Sequence, residues 1–251
     1  MVPTKNSAAV LGDCLQSVAW ADELIVVDMF STDGTAAVCQ QYPHCRLIQR
    51  EDYIFGNVNF GFDCARSDWI MRLDSDERVT PELAAEIKAI LCDPPPGVDV
   101  VECWERIVIL GHELRYGFGK RHYRKIMFRR GRAHYKVISE HEDLDVSGGQ
   151  LRTAAGYMHL NYTTVGQYLA KMDYYTDRDL ERMELPAKPP SLTAGILEPL
   201  RAFYLYYFKR KGYRDGWVGF VDAGMRAFYQ FTYWAKLRER WERAQTQTRG
   251  S

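Results

Sequence analysis

Cysteine motifs are absent from this 251-residue sequence, although cysteine itself is present. The six cysteines form no C-x-x-C pair and no other spacing typical of a metal site; they are Cys14, Cys39, Cys45, Cys64, Cys92 and Cys103. Most of them lie in apolar stretches, where a reduced thiol behaves as a small hydrophobic side chain. We therefore expect free thiols and a reducing, cytoplasmic compartment.

Long apolar runs are absent as well. No uninterrupted apolar stretch approaches the ~20 residues that a helix needs to cross a bilayer. The chain reaches Pro3 and Lys5 without an apolar segment, so we expect no signal peptide at this end. We expect a cytoplasmic protein, and attachment to the inner face of the cytoplasmic membrane is left open.

Net charge is also absent, because 33 basic residues balance 33 acidic ones. The charges are unevenly placed: residues 1–187 hold 21 basic and 28 acidic side chains, whereas residues 188–251 hold 12 and 5. An acidic body repels nucleic acid, and no known nucleic-acid-binding module is recognisable. We therefore expect no nucleic-acid partner.

Short β-branched runs alternate with helical patterns over the first hundred residues. The runs at 24–27 and 69–73 have the length of strands, and Thr80 followed by Pro81 marks a helix start. This alternation predicts an α/β fold with a mixed, mostly parallel sheet flanked by helices. Short extended pieces between Asp99 and Val146 predict an antiparallel extension of that sheet.

Helical spacing dominates beyond Thr163, where aromatic residues accumulate. Of the 33 aromatic residues, 14 lie between Phe203 and Trp241, interleaved with lysine and arginine. Such a pattern is typical of a helix at an anionic membrane surface. The alternative is that the rings pack on a catalytic core. The two interpretations are compatible if one face of the helices packs on the core and another contacts lipid. We predict a catalytic domain at 1–160 and a C-terminal helical region, aromatic and basic, at 161–251.

Two apolar runs end in carboxylates. Residues 25–27 lead into Asp28 and a polar turn, and residues 69–73 lead into Asp74, Ser75 and Asp76. Ligands of open α/β sheets bind at the carboxyl ends of the parallel strands. Acids at alternate positions of an extended segment share a face and can converge on one divalent cation and its phosphates. Each motif alone is equally typical of a turn or a helix cap, but together they favour one phosphate-handling site.

These motifs carry a resemblance to a known family. The blocks at 3–6 (Pro-Thr-Lys-Asn), 26–28 with 31–35, Asn59, and 68–77 resemble, in order and spacing, those of family 2 glycosyltransferases with the GT-A fold. The later blocks at 137–142, around His159 and at 207–216 resemble the branch that includes lipopolysaccharide-core glucosyltransferases. The resemblance extends over nearly the whole chain.

The resemblance implies an inverting glycosyltransferase that uses a nucleotide-sugar donor, with a UDP-sugar preferred, and a divalent cation, Mg²⁺ or Mn²⁺. The implied acceptor is a saccharide, lipid-linked or part of a lipopolysaccharide core. A base must deprotonate the acceptor hydroxyl, and the resemblance takes it from Glu140, Glu142 and Asp143, with Glu142 preferred. The implied donor-binding residues are Pro3, Thr4, Asn6, Asp28, Asn59 and Asp74, and the implied metal ligands are Asp76 and His159.

Several of these interpretations have alternatives. A core histidine with satisfied hydrogen bonds is the alternative for His159, and the basic residues from Arg121 to Arg130 suit either a diphosphate or solvated surface. Family members usually carry several apolar residues before the block at 3–6, and only Met1 and Val2 precede Pro3 here, so the first strand is expected to be missing and the central sheet to lack an inner strand. The rival functions are a nucleotidyltransferase-like enzyme and an inactive, membrane-associated binding protein whose first strand is truncated.

Overall fold

The computed structural model describes residues 1–136, 144–181 and 183–249. Strands and helices alternate along the first part of the chain. The strands are β1 Val2–Thr4, β2 Leu24–Asp28, β3 Cys45–Gln49, β4 Trp69–Met71, β5 Glu77–Val79, β6 Val98–Ile109, β7 His112–Glu113, β8 Tyr123–Arg129, β9 Ala133–Tyr135, β10 Leu144–Val146 and β11 Gly149–Tyr162. The helices are α1 Ala8–Ser17, α2 Thr35–Cys39, α3 Ile54–Asp63, α4 Pro81–Cys92, α5 Val165–Glu181, α6 Leu192–Phe203 and α7 Gly216–Arg249. A π-helical segment, Tyr204–Lys209, continues α6, and 3₁₀ turns occupy Gly117–Gly119 and Gly212–Asp215.

The chain forms two compact units. The first comprises Met1–Arg106 and Arg121–Leu160, and the second comprises Ile107–Lys120 and Asn161–Ser251. The segment 107–120, which the sequence-based division placed with the catalytic domain, therefore packs within the second unit.

The parallel part of the first unit is a three-stranded sheet in the order β1-β2-β3. Val2 pairs with Val26, and the five residues of β2 are buried, as their apolar run predicts. The Met1 amine donates to Met71 O at 2.6 Å and Leu73 N donates to Met1 O at 3.1 Å, which joins β1 to the region of β4. The first strand is thus present but only three residues long.

The antiparallel part of the chain is a sheet in the order β4-β8-β6-β11-β5, with β7 on β6. The pairs β4–β8, β6–β8 and β5–β11 are all antiparallel, which confirms the extension expected between Asp99 and Val146. The mixed α/β architecture flanked by helices is confirmed as well. The expectation that most of the sheet is parallel is not met: among the described strands, β1–β3 pair parallel, whereas β4–β8, β6–β8, β6–β7 and β5–β11 pair antiparallel.

The helices of the first unit bury apolar faces against the sheet. Leu11, Leu83 and Ile87, on α1 and α4, are fully buried in one core with Val26 and Ile126. The start of α4 follows the sequence prediction: Thr80 Oγ1 accepts the Leu83 N–H at 3.2 Å, and Pro81 takes the first helical position.

The second unit is built on three helices with an aromatic filling. Tyr168 of α5 donates to Met225 O of α7 at 2.8 Å, and Trp234 of α7 donates to Ser191 O, at the start of α6, at 2.9 Å. Gly195 lies against the Trp234 ring so closely that a Cβ there would meet ring carbon at 2.5 Å. None of the helices in the described part of the chain is both long and apolar enough to span a bilayer.

Candidate functional site

The acidic turn at 74–76 connects β4 to β5. Leu73 is buried before it, whereas the carboxylates of Asp74 and Asp76 remain partly exposed. Ser75 Oγ donates to Ser7 Oγ at 3.1 Å, which ties the turn to the loop that follows β1. The turn therefore lies at the edge where β1 and β4 end, as the topology rule for α/β sheets predicts.

His159 lies beside this turn because β5 and β11 pair antiparallel, with His159 opposite Glu77. Its Nε2 is 3.6 Å from Asp76 Oδ2, and its Nδ1 is 2.5 Å from Glu105 Oε1. A carboxylate that holds one ring nitrogen while the other faces a second carboxylate is the arrangement typical of a metal-binding histidine. The two predicted metal ligands, Asp76 and His159, are thus brought together.

Arg124 is the central cation of the acidic cluster formed by Asp74, Glu77 and Glu105. Its NH1 is 2.5 Å from Glu77 Oε1 and 3.6 Å from Glu105 Oε1, and its NH2 is 3.7 Å from Asp74 Oδ2. Arg72 adds a second cation, with its NH2 3.0 Å from Asp74 Oδ1. Asp74 therefore lies between two arginines at the open side of the cluster.

Burial and charge together set the protonation of these groups. Burial, and then the charge of Asp74, raises the pKa of Glu77 to about 7, although Arg124 and His159 oppose this. Burial also disfavours the ionised Glu105, but hydrogen bonds from His122 and His159 hold the pKa of that carboxyl well below its usual range. Burial lowers the pKa of His159, yet its hydrogen bonds to Asp76 and Glu105 outweigh this and raise it to about 10.

Divalent cations fit this donor set. Ligand atoms of Glu77, Glu105 and His159 lie within 4.8 Å of one another. Because Glu77 is paired with Arg124 and Glu105 already has His122 and Arg124 as partners, the partly exposed Asp76 carboxylate and His159 Nε2 are the better ligands. Carboxylate oxygen and imidazole nitrogen both suit Mn²⁺. A cation there must displace the proton of His159, so its binding is expected to release that proton.

In metal-free protein, the stability is expected to fall as the pH rises from about 6.5 towards 10. Folded His159, with a pKa of about 10, keeps a proton that the unfolded chain releases near 6.5, so the folded state binds more protons and loses stability as the pH rises. Urea unfolding in EDTA at several pH values measures this slope. His159→Gln should show a shallower fall, and equal slopes for the two proteins contradict the assignment.

The loops after β1 and β2 are fastened to each other. Asn6 N donates to Ser31 Oγ at 2.7 Å, and Thr32 N donates to Asn6 Oδ1 at 2.8 Å. Asp28 is fully buried; its carboxylate accepts the Ser31 N–H and hydroxyl and, at 3.4 Å, the Gln49 amide. The structure thus places Asp28 as the residue that shapes this loop, and its predicted contact with the donor stays a prediction.

The remaining predicted donor-binding residues are buried. Pro3 and Thr4 lie in β1, where Thr4 pairs with Asp28. Asn59, on α3, donates to Tyr135 O at 2.9 Å and accepts the Tyr135 N–H at 2.8 Å, so its amide is engaged in holding β9. Of all six predicted donor-binding residues, Asn6 is exposed and Asp74 is partly exposed, whereas the other four are buried. Direct donor contacts by Pro3, Thr4 and Asn59 remain predictions.

The predicted catalytic acids Glu142 and Asp143 lie outside the described residues, as does Glu140. Sequence reasoning missed three residues of the site, Glu105, Arg72 and His122. Two of them had a signal: Glu105 shares the buried face of β6 with Cys103 and Ile107, and Arg72 alternates with Asp74. Burying a single carboxylate among apolar side chains costs free energy unless the carboxylate is paired. An acid in such a position therefore predicts a positively charged partner nearby.

A separate cavity of about 670 Å³ lies at the other ends of the strands. It is lined mainly by apolar side chains, including Trp20, Leu24, Trp69 and Leu91. Leu24 and Trp69 begin β2 and β4, whereas Asp28 and Asp74 lie at or beyond the ends of these strands. The cavity is therefore distinct from the charged site. The carboxylates and the histidine that could bind a cation lie in the charged site and not in the cavity.

The chain is similar to several known proteins. The family model described as "Glycosyl transferase family 2" matches residues 1–155. The chain is 27% identical to "Lipopolysaccharide core biosynthesis glycosyltransferase LpsC" of Rhizobium meliloti, over 94% of this chain and 89% of that protein. It is 28% identical to an uncharacterized glycosyltransferase of Rickettsia felis, over 94% and 87%. The structure of S. aureus TarS 1-349 in complex with UDP is similar with a TM-score of 0.49 and 15% identity, covering 97% of this chain and 90% of that one.

Proposed function

We propose that this chain, which belongs to glycosyl transferase family 2, transfers a sugar from a nucleoside diphosphate donor to a saccharide acceptor with inversion at the anomeric carbon. Membership of the family makes it a glycosyltransferase with the GT-A fold. The observation that carries the proposal is the charged site at 74–76, where Asp76 meets His159 and Asp74 lies between Arg72 and Arg124.

The donor diphosphate is held, in this proposal, at the open side of that site. Asp74 faces the ribose, and Arg72 and Arg124 keep its carboxylate in place. Asp76 and His159 hold the divalent cation, and Glu105 fixes the orientation of the His159 ring through Nδ1. When bound, Mg²⁺ or Mn²⁺ supplies positive charge that stabilises the departing diphosphate.

Glu142 is the proposed base, with Asp143 beside it. Its carboxylate takes the proton of the acceptor hydroxyl, whose oxygen bonds to the anomeric carbon as the bond from that carbon to the diphosphate oxygen breaks. The nucleoside diphosphate leaves from the opposite face, so the configuration inverts. Support for Glu142 comes from the family resemblance at 137–142.

The acceptor we propose is a lipopolysaccharide-core or lipid-linked saccharide. The relative named as a lipopolysaccharide core biosynthesis glycosyltransferase covers 94% of this chain, and its similarity therefore includes the second unit as well as the family domain. An acceptor of this kind places the reaction at the cytoplasmic face of a membrane, with UDP-sugar as the preferred donor class.

Membrane contact is supported by an apolar stripe on the second unit, defined by Leu192, Ile196, Leu200, Tyr204 and Phe208. These side chains recur every four residues along α6 and the π-helical segment, and each is more than 50% exposed. Four exposed basic residues follow: Lys209, Arg210, Lys211 and Arg214. Arg210 lies over the Tyr206 ring and Arg214 donates to the Tyr116 hydroxyl, so these two cations have aromatic neighbours. This combination suits anionic lipid headgroups.

Binding to anionic vesicles is expected to weaken about tenfold in Ile196→Glu/Leu200→Glu, because two carboxylates would replace apolar contacts with the lipid interface. Flotation with phosphatidylglycerol-containing vesicles and with neutral phosphatidylcholine vesicles measures this. Leu169→Glu, an exposed leucine on α5, is the matched control. Two results contradict membrane contact. One is that the wild type binds neutral and anionic vesicles equally well; the other is that sedimentation shows a dimer formed through the stripe.

The experiment that tests the function is a donor screen followed by transfer. Thermal shift with UDP, GDP, CDP and dTDP, each with Mn²⁺, identifies the nucleotide that stabilises the folded protein. Transfer from the corresponding sugar to lipopolysaccharide-core acceptors is then expected to fall about 100-fold or more in Glu142→Gln, with donor binding retained. If Glu142→Gln no longer binds the donor, Glu142 is not assigned as the base. If none of the four nucleotides raises the melting temperature of the wild type, the proposed function is contradicted.

A further inference from the structure

Phe30 has an unusual backbone conformation for a bulky residue. Its φ is +53°, in the left-handed region that normally favours glycine. Its side chain is 51% exposed, so burial of the ring does not compensate for the strain. Such strain persists only where the surrounding structure enforces it, and it is concentrated at functional sites.

The loop around Phe30 is fixed on both sides. Asp28 accepts the Ser31 N–H at 3.1 Å and also the Ser31 hydroxyl, which closes a tight turn over residues 28–31. The same Ser31 hydroxyl accepts the Asn6 N–H at 2.7 Å. The Phe30 ring is therefore presented to solvent from a turn that hydrogen bonds to the buried Asp28 and to Asn6 hold in place.

This turn lies beside the charged site. Asn6 is fastened to Ser31, and its neighbour Ser7 is bonded through Oγ to Ser75 of the acidic turn at 3.1 Å. Two adjacent residues thus connect the Phe30 turn to the place where the diphosphate is proposed to bind. The Phe30 turn follows β2 and the acidic turn follows β4, so both border the carboxyl ends of these strands, where α/β sheets bind their ligands.

We propose that Phe30 is a donor-binding residue whose ring stacks on the nucleobase. The inference rests on the proposed function, because it takes the ligand to be a nucleoside diphosphate. Every base offers a flat π-face, and an exposed aromatic ring carried by a fixed turn can stack on it. Asp28, fully buried, acts through the turn that it shapes.

Phe30→Gly tests this directly, because glycine relieves the left-handed strain and removes the ring together. The dissociation constants of UDP and of inorganic pyrophosphate, each with Mn²⁺, are measured by calorimetry. We expect UDP to bind about tenfold more weakly to Phe30→Gly, which is about 1.4 kcal/mol, and pyrophosphate to bind as it does to the wild type. Phe30→Tyr should retain UDP affinity, whereas Phe30→Leu, which keeps the strain but lacks the ring, should lose it.

Phe228→Ala is the control for loss of an exposed ring, since Phe228 lies on α7 and is 45% exposed. It should leave both dissociation constants unchanged, and Phe30→Gly should melt no lower than the wild type, because glycine relieves the strain. UDP affinity that is unchanged in Phe30→Gly overturns this inference alone. Equal weakening of UDP and pyrophosphate also overturns it, because Phe30 would then only shape the loop. A wild type that binds no nucleoside diphosphate overturns the proposed function as well.

Discussion

Asp76→Asn is expected to lower sugar transfer about 100-fold or more, while the protein remains folded. The substitution removes the negative charge that faces His159 Nε2 at 3.6 Å and leaves one fewer anionic ligand for the cation. The fold should tolerate the change, because the Asp76 side chain is partly exposed and its backbone oxygen still accepts the Leu160 N–H at 2.9 Å.

Three measurements separate loss of the metal from loss of the fold. Mn²⁺ affinity by calorimetry should fall, and excess Mn²⁺ should restore part of the transfer. The metal-free variant should still unfold in one cooperative transition, only slightly below the wild type, because His159 loses its Asp76 partner but keeps Glu105. Asp63→Asn, an exposed acid on α3, is the control and should leave all three unchanged. Transfer by Asp76→Asn at the wild-type rate contradicts the metal assignment.

The sequence was informative where a local pattern decides the structure. The apolar run at 24–27, the cap formed by Thr80 and Pro81, and the acids at 74–76 all follow short-range rules, and each lies where those rules place it. The contact of Asp76 with His159 was predicted through the family resemblance; the register of β5 against β11 that produces it is a long-range pairing. Spacing along the chain does not fix such a register when the strands are 80 residues apart.

The roles of individual charges were less predictable. Arg124 belongs to a group of five basic residues that the sequence could assign either to diphosphate binding or to the solvated surface. These residues are Arg121, Arg124, Lys125, Arg129 and Arg130. In the structure Arg121 lies over the Trp104 ring and Arg129 pairs with Asp99, whereas Arg124 is inserted among buried acids. Alternation on β8 separates the faces of the strand, but the β6–β8 register is needed to determine that Arg124 lies near Glu105.

Arg124→Met is expected to destabilise the folded protein by about 3–5 kcal/mol. Glu77 is 1% exposed and its carboxylate lies 2.5 Å from Arg124, so the substitution leaves a buried charge without its cation. The melting temperature should fall by about 10 °C, as this loss implies for a chain of this size. Arg129→Met on the same strand is the control; Arg129 pairs with Asp99 at 3.2 Å but is more exposed, and its loss should cost only about 1 kcal/mol.

The pH dependence of this destabilisation has a definite sign. Removing Arg124 raises the pKa of Glu77 further above its unfolded value, so the stability of the variant is retained at low pH and lost as the pH rises through that pKa. The difference between variant and wild type should therefore be larger at pH 8 than at pH 5.5 in urea unfolding. Arg124→Met/Glu77→Gln should recover part of the loss at pH 8, because no buried carboxylate then remains at position 77. A constant difference at both pH values, without recovery in the double variant, would mean that Arg124 stabilises the fold by packing and not by pairing with Glu77.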